Sequence, residues 1–138
     1  IFTQDITITR QARTNESDSA TMGRKSIVPY GLYRADGYVS AMLAQKITKF
    51  SEEDLELLWK AIINMFEHDR SAARGKMCVR KLYVFKHDSL LGNAPANVLF
   101  DKIVISKKDG VEVPRSFNDY EITVDKNMPE GVELQEKS

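Results

Sequence analysis

The chain has 138 residues, 42% of them hydrophobic, and its 20 Lys and Arg are matched by 20 Asp and Glu. That is enough apolar side chain for one domain with a core, while a net charge of zero names no partner. A single cysteine, Cys78, excludes an intrachain disulfide and a cysteine zinc cluster. No apolar run approaches the ~20 residues of a membrane-spanning helix, and the start does not read as a signal peptide. A reducing, cytoplasmic compartment fits. Strand-like apolar neighbours predict Cys78 to be a buried structural thiol.

Residues 1–11, IFTQDITITRQ, alternate Ile6 and Ile8 with Thr7 and Thr9, the pattern of a strand with one face buried. Residues 13–20, RTNESDSA, hold no large apolar side chain and read as an exposed loop. The stretch 21–38, TMGRKSIVPYGLYRADGY, gathers Arg24, Lys25, Arg34, Tyr30, Tyr33 and Tyr38 around three glycines and Pro29. Cations attract phosphate without reading sequence, aromatic rings stack on bases, and glycine lets backbone approach a ligand. The plainer reading of 25–41 is a strand kinked at Pro29, with half-buried tyrosines and solvated cations. Residues 41–50 are ambiguous, with a short helix possible.

Ser51 opens the clearest element. It is an N-cap with Asp54 at N3, and Glu52, Glu53 and Asp54 suit a helix N-terminus. Leu55, Leu58, Trp59, Ile62, Met65 and Phe66 then fall on one face of an amphipathic helix reaching about His68. The expectation is a core helix lying on a sheet. Residues 70–86 carry Arg70, Arg74, Lys76, Arg80, Lys81 and Lys86 and no acid. They read either as cations favoured at a helix C-terminus followed by a strand over 77–85, or as a phosphate-tracking patch.

Asn93 is a candidate cap for a short helix with Pro95 in its first turn. Residues 102–113 read as a hairpin turning at Asp109-Gly110, with Lys107 opposite Glu112. Residues 120–124 are a last short strand, and the acidic segment 128–138 reads as a flexible tail. No repeat, low-complexity tract or internal boundary appears, so 1–138 is expected to be a single domain. His68 and His87 fit an acid–base pair for RNA cleavage only loosely, and their Asp neighbours make a sparse metal set. No P-loop, dinucleotide fingerprint or nucleophile elbow is present. No cofactor is expected.

Three stretches taken in order, TMGRKSIVPYGLYRADGY, FSEEDLELLWKAIINMFEHDRSAARGKM and LYVFKHDSLLGNAPANVLFDKI, resemble the backbone subunit (Cas-seven family) of type I-C CRISPR Cascade complexes, in the RAMP superfamily. The likeness runs from about residue 6 to about residue 105. It implies an α+β, RNA-recognition-motif-like (ferredoxin-like) palm with an antiparallel sheet and one main helix. Whole members are about twice as long, so the chain is expected to be a C-terminal half with an incomplete palm. The family pattern carries His at the positions held here by Ser26 and Asp36, and a carboxylate at 36 repels phosphate.

The resemblance further implies a subunit that is not a nuclease. Copies would polymerise along a CRISPR guide RNA, contact other Cascade subunits, and present the guide for pairing with target DNA; no membrane is involved. Sequence reading would then be left to base pairing. Segment 13–25 becomes a thumb-like loop, mobile without RNA over 13–23. The RNA-binding set is Arg10, Arg13, Met22, Arg24, Lys25, Tyr30, Tyr33, Arg34, Arg70 and Arg74, and Glu52, Glu53, Asp54 and Glu56 offer an acidic face for a neighbouring copy. The rival functions are a RAMP-type CRISPR RNA-processing endoribonuclease using a histidine, and a ferredoxin-like protein-interaction module whose charges are only solvated.

Overall fold

A computed structural model describes residues 2–9, 20–71 and 74–138. It is an α+β structure of short antiparallel sheets and few helices, in keeping with part of a ferredoxin-like fold. The chain divides into two compact units, one formed by Ile1–Arg34 with Ile105–Glu121, the other by Ala35–Val104 with Ile122–Ser138.

In the first unit, strand β1 (Phe2–Thr9) pairs antiparallel with β2 (Ala20–Ile27), in a register that runs from Phe2 opposite Ile27 to Thr9 opposite Ala20. The Ile and Thr residues that favour a pleated strand make β1 as expected. The second strand starts and stops earlier than Pro29 suggested: 28–39 has no regular structure. Part of the thumb-like segment, 20–25, therefore belongs to β2, and the rest of it, 13–19, lies outside the described residues.

Also in this unit, the single turn Phe117–Asp119 is capped by Asp119, whose carboxylate accepts the Arg115 N–H at 2.6 Å and the Ser116 N–H at 2.8 Å. Those two backbone donors hold the carboxyl below its usual range. The expected 102–113 hairpin does not form. Strand β4 (Ile103–Lys107) pairs with β5 (Tyr120–Val124), and Val113 is exposed outside any strand. Gly110 takes the turn, at φ 79°, but Lys107 Nζ reaches the main-chain oxygen of Glu112 rather than its carboxylate.

In the second unit, α1 (Ala41–Leu43) continues into a π-helical turn over Ala44–Thr48 that ends with Lys49 at φ 59°. Helix α2 (Glu52–His68) has the predicted capping box: Asp54 N–H donates to Ser51 Oγ at 3.1 Å, and Ser51 N–H donates to Asp54 Oδ2 at 2.9 Å. Its surroundings differ from expectation. No residue of α2 is buried, and Leu55, Leu58, Trp59, Ile62 and Phe66 are only half-buried.

Strand β3 (Tyr83–His87) is shorter than predicted and pairs antiparallel with β6 (Val132–Glu136), Phe85 opposite Leu134. The segment expected to be a flexible tail is thus the partner of β3, because its Val132 is buried and its backbone fills the β3 edge. Cys78 is exposed, since the strand begins only at Tyr83. The buried apolar residues among those described are Leu99 on α3 (Ala96–Phe100), Ile103 and Val132. Phe100 meets Phe85 and Tyr38 edge-on, at centroid distances of 6.3 and 5.5 Å. Pro95, not Asn93, stands at the N-cap position of helix α3; the Asn93 side-chain amide donates to Asp88 and its backbone N–H to His87.

The turn before β6 depends on Gly131. Its φ is 75°, and a Cβ there would stand 2.2 Å from Asn93 Nδ2 and 2.7 Å from Asp88 Oδ1. Gly131→Ala should therefore lower stability by more than about 1 kcal/mol, read as a shift in the denaturant midpoint at unchanged m-value. Gly37→Ala, with nothing within 4 Å of the added carbon, is the control and should move it far less.

Candidate nucleic-acid interface

The candidate residues fall into two groups, one in each unit. In the first, β2 carries Met22 opposite Thr7, Arg24 opposite Asp5 and Lys25 opposite Gln4. Arg24 is exposed. Arg10 and Arg13 lie outside the described residues. Beyond β2 the two tyrosines part company. Tyr30 is half-buried, its ring tilted 38° against Tyr120 at 6.2 Å. Tyr33 is 82% exposed.

The ring of Tyr33 folds back over Gly31, where a Cβ would sit 3.1 Å from Tyr33 Cε2. Gly31 is thus there for room, not for a left-handed backbone. Arg34, next in the chain, is exposed as well. An open ring with a cation next to it in the chain suits a base stacked on the ring with a phosphate nearby.

The second group follows α2. Arg70 holds Glu67, Nη2 to Oε2 at 3.0 Å, and its Nε donates to the Glu67 carbonyl at 3.1 Å. Arg74 forks onto Asp69 with Nη1 and Nη2 at 2.8 and 2.6 Å from the two carboxylate oxygens. This bidentate pair holds the Asp69 carboxyl below its usual range, mainly through the hydrogen bond, and raises the Arg74 guanidinium in return. Lys81 pairs with Glu136 across the β3–β6 edge. Arg70, Arg74 and Lys81 therefore meet acids of the chain itself, and all six cations of the run are exposed.

Those acids lie outside 70–86 in sequence, so a scan of that run for carboxylates does not find them. Sequence reasoning also left Tyr38 out of the RNA-binding set. Its ring is 77% exposed yet steadied by Phe100, and the signal available was its place in the same aromatic-rich motif. Among the described residues, no group of three or more His, Cys, Asp or Glu is placed to hold a metal, and no helix is long and apolar enough to cross a membrane.

The family model for CRISPR-associated protein Cas7 matches residues 1–125. The chain belongs to the Cas7 family. It is thereby a CRISPR-associated protein of the RNA-binding backbone kind. No curated protein matches it.

The fork on Asp69 makes Arg74 a cation in reserve. The depressed carboxyl keeps the pair intact above the ordinary value of about 3.9, and the pair is lost only as pH falls through the lower folded value. At neutral pH, Asp69→Asn should release Arg74 and tighten single-stranded RNA binding by roughly threefold, with a steeper salt slope, as one more phosphate contact requires. An unchanged dissociation constant and slope in a fluorescence-anisotropy titration would remove Arg74 from the interface.

Proposed function

We propose that this Cas7-family chain is a guide-RNA-holding backbone subunit of a type I-C Cascade complex. Copies line up along the crRNA, contact other Cascade subunits, and leave the bases open to pair with target DNA. The observation that carries the reading is the Cas7 match over residues 1–125. The exposed Tyr33, with the exposed cations Arg24 and Arg34 on the same stretch of chain, supports it.

The same reading makes the chain a scaffold rather than a nuclease. His87 Nδ1 is taken up by the Asn93 amide, 2.9 Å away, which leaves that nitrogen no base to offer a ribose hydroxyl. Purification of the whole protein from cells carrying its CRISPR array should bring down a discrete guide RNA that stays at constant length on incubation. Progressive shortening of that RNA would instead favour the endoribonuclease.

Binding should weaken steeply with salt, since the contacts are to phosphate. A log–log plot of affinity against salt should fall by about 0.7 per phosphate contact for a single strand, and a flat plot would count against the reading. Arg24→Ala with Lys25→Ala should fold normally but assemble poorly on guide RNA in size-exclusion chromatography; an exposed charge such as that of Arg24 contributes under about 1 kcal/mol to stability. Normal assembly would take β2 out of the interface without touching family membership.

A further inference from the structure

The loop 88–94, between β3 and α3, is held by a dense set of hydrogen bonds. Asp88 N–H donates to the Gly131 carbonyl at 3.0 Å, Gly92 N–H to the Ser89 carbonyl at 3.1 Å, and Ser89 N–H to Asn93 Oδ1 at 3.2 Å. Asn93 Nδ2 donates to Asp88 Oδ1 at 2.5 Å, and Asn93 N–H to His87 Nδ1 at 2.9 Å. Gly92, at φ 86°, lies against the imidazole, where a Cβ would be 3.6 Å from Nδ1. The loop is fastened at its base, yet its tip presents Leu90 and Leu91 to solvent, 46% and 88% exposed.

The bond to His87 differs from the others. A backbone N–H only donates, so Nδ1 must carry a lone pair: the ring is neutral and its proton is on Nε2. An imidazolium has N–H on both nitrogens and cannot accept. Imidazoles ordinarily change state near pH ~6.5, within a range where backbone groups and amides do not. The imidazole is half-buried and lines a cavity of about 270 Å³ together with Lys86, Asp88, Gly131, Val132 and Glu133. The charged groups sharing that cavity are thus Lys86 and Asp88 beside it in the chain and Glu133 from β6.

We infer that His87 is a proton-operated latch on the 88–94 loop. Neutral, it holds the Asn93 amide and fixes the Leu90–Leu91 tip; protonated, it releases the amide and lets the tip move. The device is independent of RNA binding.

Amide hydrogen exchange of Asn93 in the whole protein, corrected for intrinsic rates, tests it. Protection should fall about tenfold between about pH 8 and about pH 5, the loss of one hydrogen bond. At the higher pH, nitrogen-15 spectra of the ring should show the Nε2–H tautomer. His87→Asn places a non-titrating amide oxygen near the Nδ1 position and should keep Asn93 protected at both pH values, whereas His87→Phe should lose protection at both. Equal wild-type protection at the two pH values, or an Nδ1–H tautomer at the higher one, would overturn the latch. So would a His87→Asn variant that keeps the wild-type pH dependence, since the titrating group would then be Asp88 or Glu133.

Discussion

The second unit depends on the ladder between β3 and β6. From Tyr83 opposite Glu136 to His87 opposite Val132, two five-residue strands satisfy each other's backbone groups. The pairing continues past both ends, where Lys137 N–H meets the Leu82 carbonyl at 2.8 Å and Asp88 N–H meets the Gly131 carbonyl at 3.0 Å. Other features of this unit are fastened to it. Lys81 meets Glu136 along the ladder, Lys137 reaches Glu56 of α2 at 3.0 Å, and Asp88 and Asn93 close over Gly131. Removal of β6 would therefore do more than expose an edge: it would free α2 of that ion pair and unfasten the loop that His87 latches.

Charge in this protein is spent twice. The balance of 20 cations and 20 acids is partly realised inside the chain, in pairs that join residues near in sequence, such as Arg74 with Asp69, and residues far apart, such as Lys137 with Glu56. Each is exposed on at least one side, so each contributes little to stability. Their effect is on availability. A guanidinium that already grips a carboxylate with both arms must exchange that partner for phosphate, which lowers its gain on binding. Arg70 and Arg74, on their own acids, are therefore weaker candidates for phosphate than their residue type alone suggests.

What was legible in the sequence was whatever local chemistry decides. Ser51 and Asp54 announce the start of α2, its apolar period announces its length, and alternating Ile and Thr announce β1. The family was legible too, because three motifs in order are specific where one is not. What failed was what long-range pairing decides. Asp109-Gly110 makes a turn, but β4 takes β5 as its partner, so the local hairpin signal lost to a strand further along the chain. The acidic end of the chain looked unattached because its few apolar residues give a weak periodic signal, although burial of Val132 and the β3 edge are enough to recruit it. Asn93 looked like a helix cap; the nearby His87 and Asp88 claimed it first.

Among the described residues the fully buried core is small, and local devices accompany it. Leu99, Ile103 and Val132 are the buried apolar residues among those described, so half-buried side chains carry much of the packing. The half-buried face of α2 and the Tyr38–Phe100–Phe85 contacts add to this. Alongside these stand arrangements that satisfy polar backbone groups on the spot: the Ser51–Asp54 box and the hydrogen bonds around Asn93. Such devices hold geometry well but stabilise weakly, typically by about 1 kcal/mol apiece. Among the bonds that fix the 88–94 loop, the one to His87 is the one that a single added proton removes, and its loss leaves the base fastened while loosening the Leu90–Leu91 tip.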